Sequence, residues 1–266
     1  EALVESNRGM EEQFEASMSI ASAIGSEIYE QLLRLDASLS VREDIAERLV
    51  DHYERLWLSS LDSDVLELIA EPVEAARIQA NIDLGDVLGG SRAAYTNKGM
   101  PFEAESYYKR ALDQVVEWKK REQDSVEANR IHVLVLLRLG DVRYMSGAHQ
   151  AAMEKYREAM DIAEPLLADP ERTKEIVQLA SQAATCVGQS HIKIGNLDQS
   201  LEMSKRAMKI VEDYLQLHPA TPGLKRDMAL SYRNLGFSLN KIMTERRGVA
   251  AARLEAIPHF ERSHEL

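Results

Sequence analysis

Apolar positions recur every three or four residues along almost the whole chain, the spacing of one buried helical face. Over residues 1–77 that pattern does not repeat at any longer interval. Met10, Phe14, Met18, Ala21, Ile24, Ile28 and Leu32 predict one long amphipathic helix. Ser40-Val41-Arg42-Glu43 reads as a capping box that opens a second helix, whose apolar side runs Ile45, Leu49, Tyr53 and Leu56, with Trp57 adjacent. Ser63 can cap a third segment, and Pro72 either interrupts it or starts the next helix.

From residue 78 onward a longer period is superimposed. Leu139-Gly140, Val187-Gly188 and Leu235-Gly236 each place glycine after an apolar residue, with the glycines 48 residues apart. A second glycine follows at Gly147 and Gly195, then small residues at Ala152 and Ser200. Tyr156 and Ser204 come four later, followed by Ala159 and Ala207. Small residues at helical spacing let two antiparallel helices approach closely. The second glycine can adopt positive φ and turn the chain back. An earlier copy ends on Gly99, Ala104, Tyr108 and Ala111, and its first helix fits Leu84-Gly85 if seven residues are inserted around Gly89-Gly90-Ser91. The last copy carries Tyr232, Leu235 and Gly236, with its second helix displaced to Ala256, Phe260 and Ser263. Repeat units are thus expected at about 78–121, 125–168, 172–217 and 224–266, with helices of about 20 residues.

This pattern resembles the tetratricopeptide repeat, which runs aromatic-x2-Leu-Gly-x2-Tyr and then Ala-x3-Phe-x2-Ala. Two features depart from it: the family's tyrosine position holds Arg143, His191 and Leu239, and the period is 48. The resemblance implies an all-α fold in which helix-turn-helix repeats stack into a right-handed superhelix, an α-solenoid. Residues 1–77 would then form an N-terminal helical cap or connector. The stretch from Lys225 to Gly236, with Asp169-Pro170 and His218-Pro219 before their units, is similar to repeats C-terminal to bacterial serine/threonine protein kinase domains. No kinase catalytic motif is present.

In such repeats the first helix of each hairpin lines the concave side. By that resemblance the groove positions include Asp141, Tyr144 and Met145, with Leu137, around Gly140. They include Gln182, Thr185, Gln189 and Lys193, with Ile192, around Gly188, and Arg233, Phe237, Asn240 and Lys241, with Leu230, around Gly236. The C-terminal part of this set is amide-rich and cationic, which suits a peptide backbone and an acidic group. Only Arg233 and Lys193 echo the family's carboxylate clamp, so that clamp is not expected. The implied function is a non-catalytic protein- or peptide-binding scaffold. The alternative is a ligand-sensing regulatory region of a larger signalling enzyme, such as a bacterial serine/threonine kinase.

Charge narrows the partners. The net charge is -12, and all of the excess acid lies in residues 1–100, so the basic face that nucleic acid requires is not expected. Chemistry is sparse. Cys186 is alone, which excludes an internal disulfide and a multi-cysteine metal site. None of the seven histidines has a His-Glu-x-x-His spacing, and His259 and His264 are five apart. Gly85, Gly89 and Gly90 lack the phosphate-loop spacing. Carboxylates beside Lys or Arg along the helices read as ordinary surface pairs. No catalytic residue, metal or cofactor is expected, and no run of 18 apolar residues is long enough to cross a membrane. The chain opens on Glu-Ala-Leu-Val inside a helical pattern, which suggests a piece of a longer protein. Its compartment would be cytoplasmic if it stands alone and extracytoplasmic if it is tethered to a membrane kinase.

Overall fold

A computed structural model describes residues 39–60, 66–89, 97–168 and 173–219. Beyond these it describes 224, 229, 232–233, 236–237, 239–241, 244, 256–259 and 261–262. The helix expected over Met10–Leu32 and the cap at Ser63 lie outside the described residues, as do Leu235, Phe260 and Ser263. Among the described residues the bounded helices are, in order, α1 (Leu39–Ser60), α2 (Leu66–Gly89), α3 (Pro101–Arg121), α4 (Val126–Met145), α5 (His149–Leu167), α6 (Lys174–Lys193) and α7 (Leu197–Leu217). No strand occurs among the described residues. The fold is all-α and built of helix-turn-helix repeats. From α3 to α7 the helices are 19 to 21 residues long, the length implied by a 48-residue period.

The chain forms two compact units, one ending at Ile131 and one starting at His132. In the first, α2 packs against both α1 and α3. The buried face of α1 is Ala46, Val50, Tyr53 and Trp57, one residue on from the expected stripe, whose Ile45, Leu49 and Leu56 are only half-buried. Ser40 already lies within the helix rather than ahead of it. Pro72 does not break α2. It lies in the interior of the helix, six residues after its start, where it removes one helical hydrogen bond. The helix nevertheless begins at Leu66, earlier than the expected start at 78.

A polar network ties these three helices together. Glu74 of α2 is 1% exposed and accepts hydrogen bonds from Arg77 (3.4 Å) and from Arg121 of α3. Arg77 also pairs with Glu54 of α1 at 3.7 Å, and Arg110 of α3 reaches the same carboxylate at 3.0 Å. Gln114 Nε2 donates to Glu54 at 2.8 Å, and Asn81 Nδ2 donates to Gln114 at 3.2 Å. The Trp57 ring lies 4.5 Å from the Arg77 guanidinium and 5.1 Å from that of Arg121. Desolvation raises the Glu74 carboxyl above its ordinary value despite these cations, and lowers Arg77. Pairs such as Arg48–Asp44 and Lys109–Glu105, both 3.0 Å, are the surface pairs expected. Glu74 is not one of them. Truncating one member of a buried pair strands the other charge, so Glu74→Ala should cost about 3 kcal/mol by denaturant unfolding. Asp44→Ala should change stability by less than about 0.5 kcal/mol.

The 48-residue period is reproduced bond by bond at the turns. Gly147 and Gly195 have φ of 83° and 85°, the left-handed conformation that closes a helix. Ser146 N–H donates to Val142 C=O and Ala148 N–H to Arg143 C=O. Forty-eight residues later Ile194 donates to Ser190 and Asn196 to His191. The first hairpin makes the same turn across its insertion. Lys98 N–H donates to Val87 C=O, Met100 N–H to Leu88 C=O, and Gly99 has φ of 70°. Gly85 therefore holds the place of Gly140, with the extra residues lying between Gly89 and Asn97.

Each of the first two hairpins is closed by one packing device. A Cβ on Gly85 would sit 2.5 Å from the Tyr108 ring, and one on Gly140 would sit 2.4 Å from the Tyr156 ring. The tyrosine ring of the second helix packs directly against the glycine of the first. Its hydroxyl then donates to the next residue, Tyr108 Oη to Asp86 Oδ1 at 2.5 Å and Tyr156 Oη to Asp141 Oδ1 at 2.7 Å. The third hairpin lacks the device, because Ser204 stands at the tyrosine position and Gln189 at the aspartate position. A Cβ on Gly188 would meet Met203 Cβ and Ser200 O at 3.3 Å. Gly140→Ala should accordingly destabilise by about 2 kcal/mol through overpacking. Gly188→Ala should fall within about 1 kcal/mol of neutral, its mild crowding offset by helix propensity. Paired thermal melts would distinguish the two sites.

Candidate functional site

The third hairpin is where space opens in the second compact unit. A cavity of about 660 Å³ is lined by Tyr144 of α4, by Thr185, Gly188, Gln189 and Ile192 of α6, and by Ser200 and Ser204 of α7. Phe237, Asn240, Lys241 and Thr244 complete its lining. Gly188, Ser200 and Ser204 stand in the register of Gly140, Ala152 and Tyr156. In the second hairpin the Tyr156 ring covers Gly140, and in the third Met203 Cβ and the Ser200 carbonyl close over Gly188, at the edge of the cavity.

Helix register explains which expected residues converge. Thr185, Gln189 and Ile192 lie three to four residues apart and so share one face of α6, which the hydrogen-bonded turn at Gly195 fixes relative to α7. Six of the eleven expected groove residues line the cavity: Tyr144, Thr185, Gln189, Phe237, Asn240 and Lys241. Tyr144 is held by ring contact with His149, 4.9 Å between centroids. Phe237 is 55% exposed, an unusual state for so large an apolar ring.

The other five are placed elsewhere. Asp141 is 3% exposed and accepts the Tyr156 hydroxyl, so it faces its own hairpin and does not line the cavity. Leu137 is likewise fully buried. Met145 is 58% exposed, Lys193 and Arg233 are exposed, and Gln182 is half-buried; none of these four lines the cavity. Sequence reasoning missed Gly188, Ser200, Ser204 and Thr244 as lining. The signal was available in the change from tyrosine to serine at Ser204, which leaves a glycine with no ring to cover it.

Beside the site, α6 carries a buried histidine where the repeat family has tyrosine. Arg157 Nη2 donates to His191 Nε2 at 3.3 Å. Desolvation, with the Arg157 charge adding to it, holds the His191 imidazole below its ordinary value. The neutral ring is the form the fold accommodates. A lowered folded-state value means that the stabilisation is whole above about pH 6.5, the unfolded value, and is lost as pH falls through the folded one. Melting temperature should therefore drop between pH 7 and pH 5, and His191→Leu should flatten that slope.

Cys186 is buried. Among the described residues no three His, Cys, Asp or Glu side chains are grouped to hold a metal, and no helix is long and apolar enough to cross a membrane. A second cavity of about 640 Å³ includes Lys205, Lys209, Glu212, Asp213 and His259 in its lining. Its cations are offset by adjacent carboxylates.

No protein-family profile matches the chain, and no curated protein matches it. Among solved structures it is similar to BtubC (BKLC) from P. vanneervenii, at 16% identity and a TM-score of 0.42, over 86% of this chain and 92% of that one. It is also similar to a signal-transduction ATPase with numerous domains that carries a tetratricopeptide repeat sensor, from Pyrococcus horikoshii. That match has 14% identity and a TM-score of 0.48, and spans 99% of this chain but 40% of the other.

Proposed function

We propose that this chain is a non-catalytic, tetratricopeptide-like scaffold that binds a protein or peptide in the region of the third hairpin. The observation that carries this reading is the convergence of six independently expected groove residues on one cavity. Its volume lies in the range of sites that take a ligand side chain and the chain bearing it. The lining mixes amides and hydroxyls (Gln189, Asn240, Thr185, Thr244) with two aromatic rings and the Lys241 ammonium. Amides pair with a peptide backbone, rings supply apolar contact, and Lys241 favours a partner with an acidic group nearby. Arg233, exposed on the same segment, adds to that preference.

A displayed random-peptide library panned against the chain should yield binders with micromolar affinity, a range typical of modest interfaces. Arg233→Glu combined with Lys241→Glu should weaken them about tenfold while circular dichroism stays unchanged. Undiminished binding by that folded double variant would sink the assignment of this surface.

A further inference from the structure

We infer that α1 is the second helix of a further hairpin, and that it docks residues 13–28 of this same chain as the first helix of that hairpin. The inference concerns the first compact unit and is independent of the partner-binding reading above. In a stack of hairpins a second helix lies between two first helices, its own and that of the next hairpin. α7 packs against α6 in the first way and α5 against α6 in the second. α1 packs against α2, the first helix of the hairpin after it, and against no other bounded helix among the described residues.

Register and charge give α1 the same standing. Its buried Ala46, Val50, Tyr53 and Trp57 are spaced as Ser200, Ser204, Ala207 and Val211 are in α7. Leu49 and Leu56 then take the half-buried places of Met203 and Ile210. Arg110 of α3 and Arg206 of α7 hold one position two periods apart. Each pairs with a glutamate on the second helix before its own, Glu54 of α1 and Glu164 of α5. To α3, α1 stands as α5 stands to α7.

The residues ahead of α1 carry the matching pattern. Ile24-Gly25 is a further apolar-glycine pair, 21 residues before Ala46, where Gly85 stands 19 before Ala104. At seven, five, four and one residues before the glycine, α2, α4 and α6 are all buried, as at Ser181, Ala183, Ala184 and Val187. The residues in those places before Gly25 are Met18, Ile20, Ala21 and Ile24, every one apolar. Polar residues enter at two other positions buried in all three, Gln13 and Glu27, towards the ends of the segment. The tether selects this occupant over a second copy. A segment joined to α1 by a short loop has an effective concentration in the ~mM range.

The test uses the whole chain with Cys186→Ala, Gly25→Cys and Leu49→Cys. In the third hairpin a Cβ on Gly188 would lie 3.3 Å from Met203 Cβ, close to the separation a disulfide spans, and Leu49 stands where Met203 does. Mild oxidation at micromolar concentration should join the pair within one chain, at least tenfold faster than Ser19→Cys with Leu49→Cys. Hydrogen exchange on the unaltered chain supplies a readout that needs no variant. Residues 14–28 should be protected at least a hundredfold, to the same degree at every protein concentration. Ile24→Asp should remove that protection and lower the melting temperature by about 5 °C, a core-sized loss, while Ser19→Asp leaves both unchanged. Tryptophan fluorescence follows the melt, because both tryptophans, Trp57 and Trp118, lie in the first unit. Disulfide-joined dimers, a control pair that closes as fast as the test pair, or unprotected exchange over residues 14–28 would each overturn the inference.

Discussion

The first two hairpins of this chain depend on one contact, a tyrosine ring set against a glycine. The glycine removes the Cβ that would collide with the ring, and the ring removes the void that the glycine would leave. The aspartate one residue on then accepts the hydroxyl, fixing the rotation of the second helix against the first. None of the three works alone. A Cβ at Gly140 meets the ring at 2.4 Å, and the Asp141 carboxylate is too deeply placed to rely on water. The contact also sets how closely paired helices approach, and therefore where each face of the first helix points.

That dependence explains what could be read from the amino-acid order and what could not. The turn glycines and their 48-residue spacing are backbone requirements, each written in a single residue, so the period and the helix lengths follow directly. The insertion after Gly89 was legible for the same reason: Gly85 and Gly99 each match a later glycine, and only the distance between them differs. Asp141 shows the limit. As the residue after the apolar-Gly pair it belongs to the groove positions, but whether it faces out depends on a side chain fifteen residues away. Gln189, at the same position, lines the cavity because Ser204 has no hydroxyl-bearing ring to offer it. One position takes opposite roles, decided across the hairpin.

The Glu74 network was illegible for a related reason. Glu54, Glu74, Arg77, Arg110 and Arg121 look like surface charges on three helices, and helical spacing joins only Glu74 to Arg77 among them. The burial of Glu74 and Arg77, and the reach of the other three to them, follow from how α1 and α3 meet α2. The same ambiguity affected the stripe of α1, where Ala46 and Val50 face inward ahead of the bulkier Ile45 and Leu49.

A hairpin that gives up its tyrosine forgoes a large buried ring, a loss that in a packed core costs about 3–5 kcal/mol. Other contacts hold the third hairpin in compensation. Thr173 caps α6 by accepting from Ile176 N–H, Ser181 Oγ donates to Ala207 C=O across the pair, and Arg157 reaches His191 from α5. These ties hold α6 at both ends and along its length, and at Gly188 the two helices approach closely enough that Met203 Cβ and the Ser200 carbonyl take the place of the ring. Sequences that depart from their own packing rule usually do so where something else must fit. Here the departure is confined to Ser204, Gln189 and the residues around them, and the rule stays intact in both preceding hairpins, so the change is local to residues that border the cavity.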